Sequence, residues 1–220
     1  MTKEQTNITI WNEIYKKNQS NLSLPNEMFV RMFQKYVTPK LRIGKHLNIL
    51  DYGFGTGANL LYMLDQGAKV QGVEVSERAI HITKEKLAYS NKDSKLSLFD
   101  GEKLPYEEDL FDVVVAWQVL YYNDLEGLYS SLNEINRVLK KGGLFIGTMC
   151  ATGDVSHEQS TKISPMVYRS KVKNQENAIC IILDDQEVKK LFLDKKPVIG
   201  EMMYKLEGIT SRHWVIKYEN

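Results

Sequence analysis

The chain has 220 residues, with 29 Lys+Arg against 28 Asp+Glu, a formal charge of +1, 43% hydrophobic and 26% charged residues. This composition is globular and large enough to bury a core unaided by disulfides or structural metals. It disfavours disorder and nucleic-acid binding through a uniformly basic surface. Cys150 and Cys180 lie far apart and form no CxxC, so neither a zinc motif nor a disulfide framework is indicated. The polar opening residues hold no signal-peptide core, and no run approaches the roughly 18 apolar residues of a membrane span. The expectation is a soluble, cytoplasmic, single-domain protein with no membrane association and no indication of its oligomeric state.

Residues 1–40 place Trp11, Ile14 and Tyr15, then Met28, Phe29, Met32, Phe33 and Tyr36, at three-and-four spacing. That spacing predicts an amphipathic helical arm, ended by Pro39. Residues 45–150 alternate short β-like runs (LNILDYG, KVQGVEVS, LSLFD, FDVVVAW, GLFIGTMC) with helical ones. Gly67 is placed to close the first of these helices and Ser76 to cap the second. A third is marked by Leu125, Leu128, Leu132, Ile135 and Leu139, and stops at Lys140-Lys141-Gly142-Gly143. Residues 151–177 are polar, made mildly basic by Lys162, Arg169, Lys171 and Lys173, and poor in periodicity, which predicts an insertion or lid. Residues 178–220 predict a strand, a helix and two strands about a turn near Glu207-Gly208. Apolar strands separated by helices imply a parallel sheet covered on both faces. The fold expected is α/β: a doubly wound, mostly parallel seven-stranded sheet with an antiparallel C-terminal strand and an N-terminal helical arm.

LDYGFGTGANL sets Gly53, Gly55 and Gly57 between a strand and a helix. Glycines there admit a ligand close to the backbone, and the helix N-terminus beyond presents free N–H groups. Gly53, Gly55 and Ala58 also satisfy the GxGxxG/A dinucleotide pattern, which leaves an NAD(P)-dependent oxidoreductase as an alternative. Asp51 counts against it, because a carboxylate there repels a pyrophosphate and suits the ammonium of an amino-acid-bearing ligand. Glu74 and Asp100 end the next two strands, placed for ribose hydroxyls and for an exocyclic amine such as that of adenine.

With these residues the sequence resembles the class I S-adenosylmethionine-dependent methyltransferases. LDYGFGTG is similar to that family's first motif and VEVSERAI to its second. FDGEKLPYEEDLFDVVVAWQVLYY matches the third and fourth segments, and LKKGGLFIGT the strand after its Gly-Gly turn. The resemblance implies S-adenosyl-L-methionine as cofactor and S-adenosyl-L-homocysteine as product. It implies that Asp51 with Gly53, Gly55 and Gly57 holds the methionine portion, and that Glu74, beside Val75, holds the ribose. Asp100, Gly101 and Glu102 would flank the adenine, Trp117 and Gln118 the sulfonium, and Tyr15 would fold over from the arm with Trp11. A non-catalytic cofactor-binding protein is the further alternative.

Where that family often carries a polar or His-containing stretch, this chain has Val119-Leu120-Tyr121-Tyr122. The catalytic candidates are then His157, in the polar insertion, and His213, on the last strand, with Tyr122 shaping the acceptor pocket; His46 and His81 are expected to face solvent. AWQVLYY replaces the Asn/Asp-Pro-Pro-Tyr-like motif of enzymes that methylate nucleobase amines, so a small-molecule acceptor is expected and no metal is called for.

Overall fold

The computed structural model describes residues 3–17 and 19–220; residues 1, 2 and 18 of the expected arm lie outside the described residues. The arm is three helices: α1 (Lys3–Lys16), α2 (Glu27–Tyr36) and α3 (Thr38–Arg42). Asn26 caps α2 by accepting from the Met28 and Phe29 amides. Pro39 does not end the arm. It occupies the first turn of α3, where its missing N–H costs nothing.

The core follows as β1 (Asn48–Tyr52), α4 (Ala58–Asp65), β2 (Lys69–Glu74), α5 (Glu77–Tyr89), β3 (Lys95–Leu98), β4 (Phe111–Ala116), α6 (Leu125–Val138) and β5 (Leu139–Ala151). Gly67, at φ +85°, turns the chain after α4, and the Ser76 hydroxyl accepts from the Ala79 amide to start α5. Then come α7 (Val155–Glu158), β6 (Ser160–Ser164), β7 (Val167–Ser170), β8 (Ile179–Leu183), α8 (Asp185–Leu191), β9 (Val198–Leu206) and β10 (Ile209–Glu219).

Strands β3-β2-β1-β4-β5 are parallel neighbours, and β10 lies antiparallel between β5 and β9. The mostly parallel sheet with an antiparallel C-terminal strand is as expected, but it has ten strands rather than seven, because β6, β7 and β8 extend it. Residues 151–177, expected to lack regular structure, instead build the β6–β7 hairpin. It continues antiparallel onto β8, which pairs with the end of β5 through Cys150 and Ala151. The alternation that identifies this hairpin is obscured because β6 is largely exposed on both faces.

Period-two alternation along the strands divides the core in two. Leu50, Tyr52, Val114, Ala116 and Phe145 pack against Leu128, Leu132 and Ile135 of α6. Ile49, Val113, Val115 and Ile146 pack on the other face against Phe29 and Phe33 of α2, Leu60 and Met63 of α4, and Ile80 and Leu87 of α5. Helices therefore cover both faces, and the C-terminal strand ends open along one edge, where sheets of this kind take ligands. Among the described residues, no helix is long and apolar enough to cross a membrane.

Candidate active site

Two adjoining hollows of about 820 and 890 Å³, open mouths included, lie along that edge and share Trp11, Tyr15, Gly53, Gln118 and Tyr122 as walls. The first is bordered by Glu74, Val75, Phe99, Asp100 and Gly101, the second by Asp51, Gly55, Thr56, Trp117, Tyr121 and Gln175.

Asp51 is 2% exposed, and its Oδ2 has no hydrogen-bond partner. Burial first, then the charge of Glu74, pushes its carboxyl up to about 8. Glu74 is also buried, which raises its carboxyl, but three backbone donors oppose the shift. Gly55 N–H donates to Oε2 at 2.9 Å, and Val75 and Ser76 N–H donate to Oε1 at 2.9 and 3.1 Å. The carboxylate at the end of β2 thus pins the glycine loop that follows β1.

The glycines of the loop let neighbouring side chains pack directly on its backbone. At Gly53 a Cβ would fall 2.3 Å from Val119 Cγ2, and at Gly55 it would fall 2.9 Å from the Tyr15 hydroxyl. Gly57 lines neither hollow and instead occupies the N-cap of α4 at φ +82°. Asp100 is exposed and accepts from the Glu102 amide at 3.0 Å. Glu102 itself borders neither hollow; its backbone closes the turn that presents Asp100.

Gln118 stands at φ +56°, an uncommon conformation for a side-chain-bearing residue, and its amide donates to Thr148 Oγ1 at 2.7 Å. This strained position at the end of β4 faces both hollows. Trp117 is buried against Phe29, with an unpartnered Nε1. Tyr122 donates to Gln175 Oε1 at 3.2 Å and meets Trp11 edge-on at 4.7 Å.

The histidines divide differently from expectation. His46 and His81 are exposed, as their sequence surroundings indicate. His157 borders neither hollow: its Nδ1 accepts from the Gly153 amide at 3.3 Å and its ring packs on Tyr168. His213 also borders neither. It lies one layer behind the pocket wall, with Nε2 3.2 Å from the Tyr121 hydroxyl, and burial holds its pKa below the usual range against the opposing charge of Asp154. Neither imidazole reaches the pocket, so neither expected base role is supported by the geometry.

Sequence reasoning missed Asn7 and Gln175. Asn7 is buried; its Nδ2 donates to the Tyr122 and Ile179 carbonyls and its Oδ1 accepts from the Ile179 amide at 2.8 Å. These bonds seat the arm over the pocket. An asparagine on a polar helix face carries no local signal of such a role.

A methyltransferase-domain family matches residues 50–147. The chain is 34% identical over 113 residues to the sterol 4-C-methyltransferase of Caenorhabditis elegans, covering 50% of this chain and 33% of that protein. It is 33% identical over 122 residues to an uncharacterized methyltransferase of Bacillus subtilis, covering 54% and 50%. The chain thus spans a third to a half of the length of these curated relatives. Among solved structures it resembles the Burkholderia thailandensis 1,6-didemethyltoxoflavin-N1-methyltransferase, at a TM-score of 0.70 and 14% identity, covering 97% and 86% of the two chains. It also resembles a protein of Pyrococcus horikoshii, at 0.66 and 19%, covering 94% and 98%. Residues 50–147 thus carry the likeness to the class I S-adenosylmethionine-dependent methyltransferases.

The residues present fit the cofactor of that class. The orphaned Asp51 Oδ2 suits its ammonium, and the Glu74 carboxylate, held by three backbone donors, keeps one lone-pair site for a hydroxyl donor.

Proposed function

We propose that the chain transfers a methyl group from S-adenosylmethionine to a small-molecule acceptor by in-line displacement. The observation that carries this reading is Asp51, a buried carboxylate with an unpartnered oxygen beside a glycine loop and bordering the second hollow. It suits a cationic amino-acid group and opposes a pyrophosphate. Glu74 is held ready for ribose hydroxyls, and Asp100 with Gly101 borders the far end of the first hollow for adenine.

When bound, the cofactor supplies an activated methyl group on its sulfonium. The protein's residues then orient and enclose. Trp11, Tyr15 and Tyr122 wall both hollows. Holding an acceptor in line is worth on the order of 7–11 kcal/mol of barrier.

The acceptor side is the second hollow, where Trp117, Tyr121 and Tyr122 provide flat faces and Asn26, Asn59, Gln118 and Gln175 provide amides. That lining suits a planar, partly polar molecule. A sterol and 1,6-didemethyltoxoflavin, named for two of the similar proteins, are small molecules as well. Lys162, Arg169, Lys171 and Lys173 are exposed and border neither hollow, so their charge selects no acidic acceptor.

Calorimetric titration with S-adenosylhomocysteine tests the reading. Stoichiometric binding that Glu74→Ala weakens strongly is expected; a purified, folded protein that does not bind overturns it. Turnover against a panel of planar heteroaromatic acceptors then tests the acceptor class.

A further inference from the structure

Behind Tyr121, away from both hollows, three buried side chains of different chemistry converge. Cys150, at the end of β5, and His213, on β10, are register partners on adjacent antiparallel strands, which puts their side chains on one face. Asp154 stands at the turn three residues beyond β5. The three are 0%, 5% and 2% exposed. The Cys150 Sγ, an Asp154 carboxylate oxygen and a His213 ring nitrogen all lie within 4.8 Å of one another.

Two observations mark this cluster out. His213 Nδ1 points into it with no hydrogen-bond partner, and its nearest acidic neighbour, Asp154 Oδ2, is 3.8 Å away. An orphaned polar atom at this depth is costly unless something satisfies it. The outer contacts that hold metal ligands in place are also present. His213 Nε2 is engaged by the Tyr121 hydroxyl at 3.2 Å, which leaves Nδ1 as the ring's free donor atom. Asp154 Oδ1 accepts from the Ser156 amide and Oδ2 from the Arg212 amide, each at 2.7 Å. Both oxygens keep a second lone pair.

We propose that Cys150, Asp154 and His213 form a zinc-binding site that ties the turn between β5 and α7 to the sheet behind the pocket wall. A thiolate, an imidazole and a carboxylate are the donor set of a borderline divalent metal. Tetrahedral zinc holds such donors roughly 3.5 Å apart, close to the Asp154–His213 separation. Binding breaks the Cys150 S–H bond, forms a Zn–S bond and releases the proton to solvent, with no change of oxidation state. Zn²⁺, one thiolate and one carboxylate sum to zero charge, so the filled site buries no net charge. One coordination position remains.

The site is independent of cofactor binding and is tested separately from it. Metal-stripped protein is titrated with Zn²⁺ by calorimetry and with Co²⁺ by absorption spectroscopy. One equivalent is expected to bind, with a thiolate-to-cobalt charge-transfer band. At about hundredfold excess of free zinc over Kd, the melting temperature is expected to rise by roughly 5–10 °C. Cys150→Ser should remove the charge-transfer band and His213→Ala should remove the thermal shift, while His81→Ala, on the surface, should change neither. Because a buried variant can fail to fold, the zinc-edge X-ray absorption of the wild-type complex is the second measurement. A first shell containing sulfur together with nitrogen or oxygen is expected. No stoichiometric binding, a signal lost with His81→Ala, or a sulfur-free shell overturns the proposal.

Discussion

The Tyr15 hydroxyl stands 2.9 Å from the point where any side chain on Gly55 would place its Cβ. The helical arm therefore closes directly onto the backbone of the glycine loop. Gly55 serves two needs at once, a φ of +54° and the space occupied by Tyr15. Gly55→Ala is expected to displace the arm and to weaken S-adenosylhomocysteine binding at least tenfold by calorimetry. Adding Tyr15→Phe, which removes the crowded oxygen, should recover part of the loss. An unchanged affinity in Gly55→Ala would show that the loop and arm are not packed this way.

Asp51 gives a pH signature. Burial and the Glu74 charge raise its folded-state carboxyl from 3.8 to about 8. The stability associated with keeping it protonated is fully present below about 4 and is lost as pH rises through about 8, with a cost on the order of a few kcal/mol. Asp51→Asn removes a charge that the empty protein accommodates poorly, so the variant should melt above the wild type at pH 8.5. It should also lose S-adenosylhomocysteine binding, while wild-type affinity strengthens from pH 6 toward 8. A variant less stable than wild type at pH 8.5 would contradict the raised carboxyl.

Glu74 couples β2 to the loop after β1 through the Gly55 amide. Glu74→Gln keeps the shape but gives up the acceptor-only charge facing three N–H donors, so one of them meets a donor or a weaker acceptor. We expect a ten- to hundredfold loss of S-adenosylhomocysteine affinity and faster hydrogen exchange at the Gly55 amide in the unliganded protein. Exchange at Gly55 no faster than in wild type would remove the pinning role.

Asn7 makes three hydrogen bonds to backbone atoms of Tyr122 and Ile179. Asn7→Ala leaves those groups unpaired and should destabilise the seating of α1 by about 2–3 kcal/mol, at roughly 1 kcal/mol per bond. Limited proteolysis between residues 17 and 26 should accelerate, with the melting of the sheet little changed. Equal cleavage rates in the two proteins would mean that the arm is held by its apolar contacts alone.

Local chemistry determined the central part of this protein by itself. The strand-end acids Asp51 and Glu74, the alternating glycines and the Ser76 cap act within a few residues of where they stand, so one pattern specifies strand, loop and helix. The same holds for the two faces of the sheet, which are written as period-two alternation in β1 and β4. Pro39 was ambiguous for a physical reason: a proline suits the first turn of a helix as well as the end of one, and only the packing of α3 chooses. The β6–β7 hairpin was hidden because an exposed hairpin has no face that must be apolar. Long-range placement belonged to the tertiary structure. His157 and His213 look alike in sequence, yet one packs against the hairpin and the other is buried behind Tyr121, away from the pocket each was expected to enter. Cys150, Asp154 and His213 carry no metal-motif spacing; they meet because an antiparallel last strand brings residue 213 back beside residue 150. Such contacts depend on how strands pair across the sheet, which no local window of residues records.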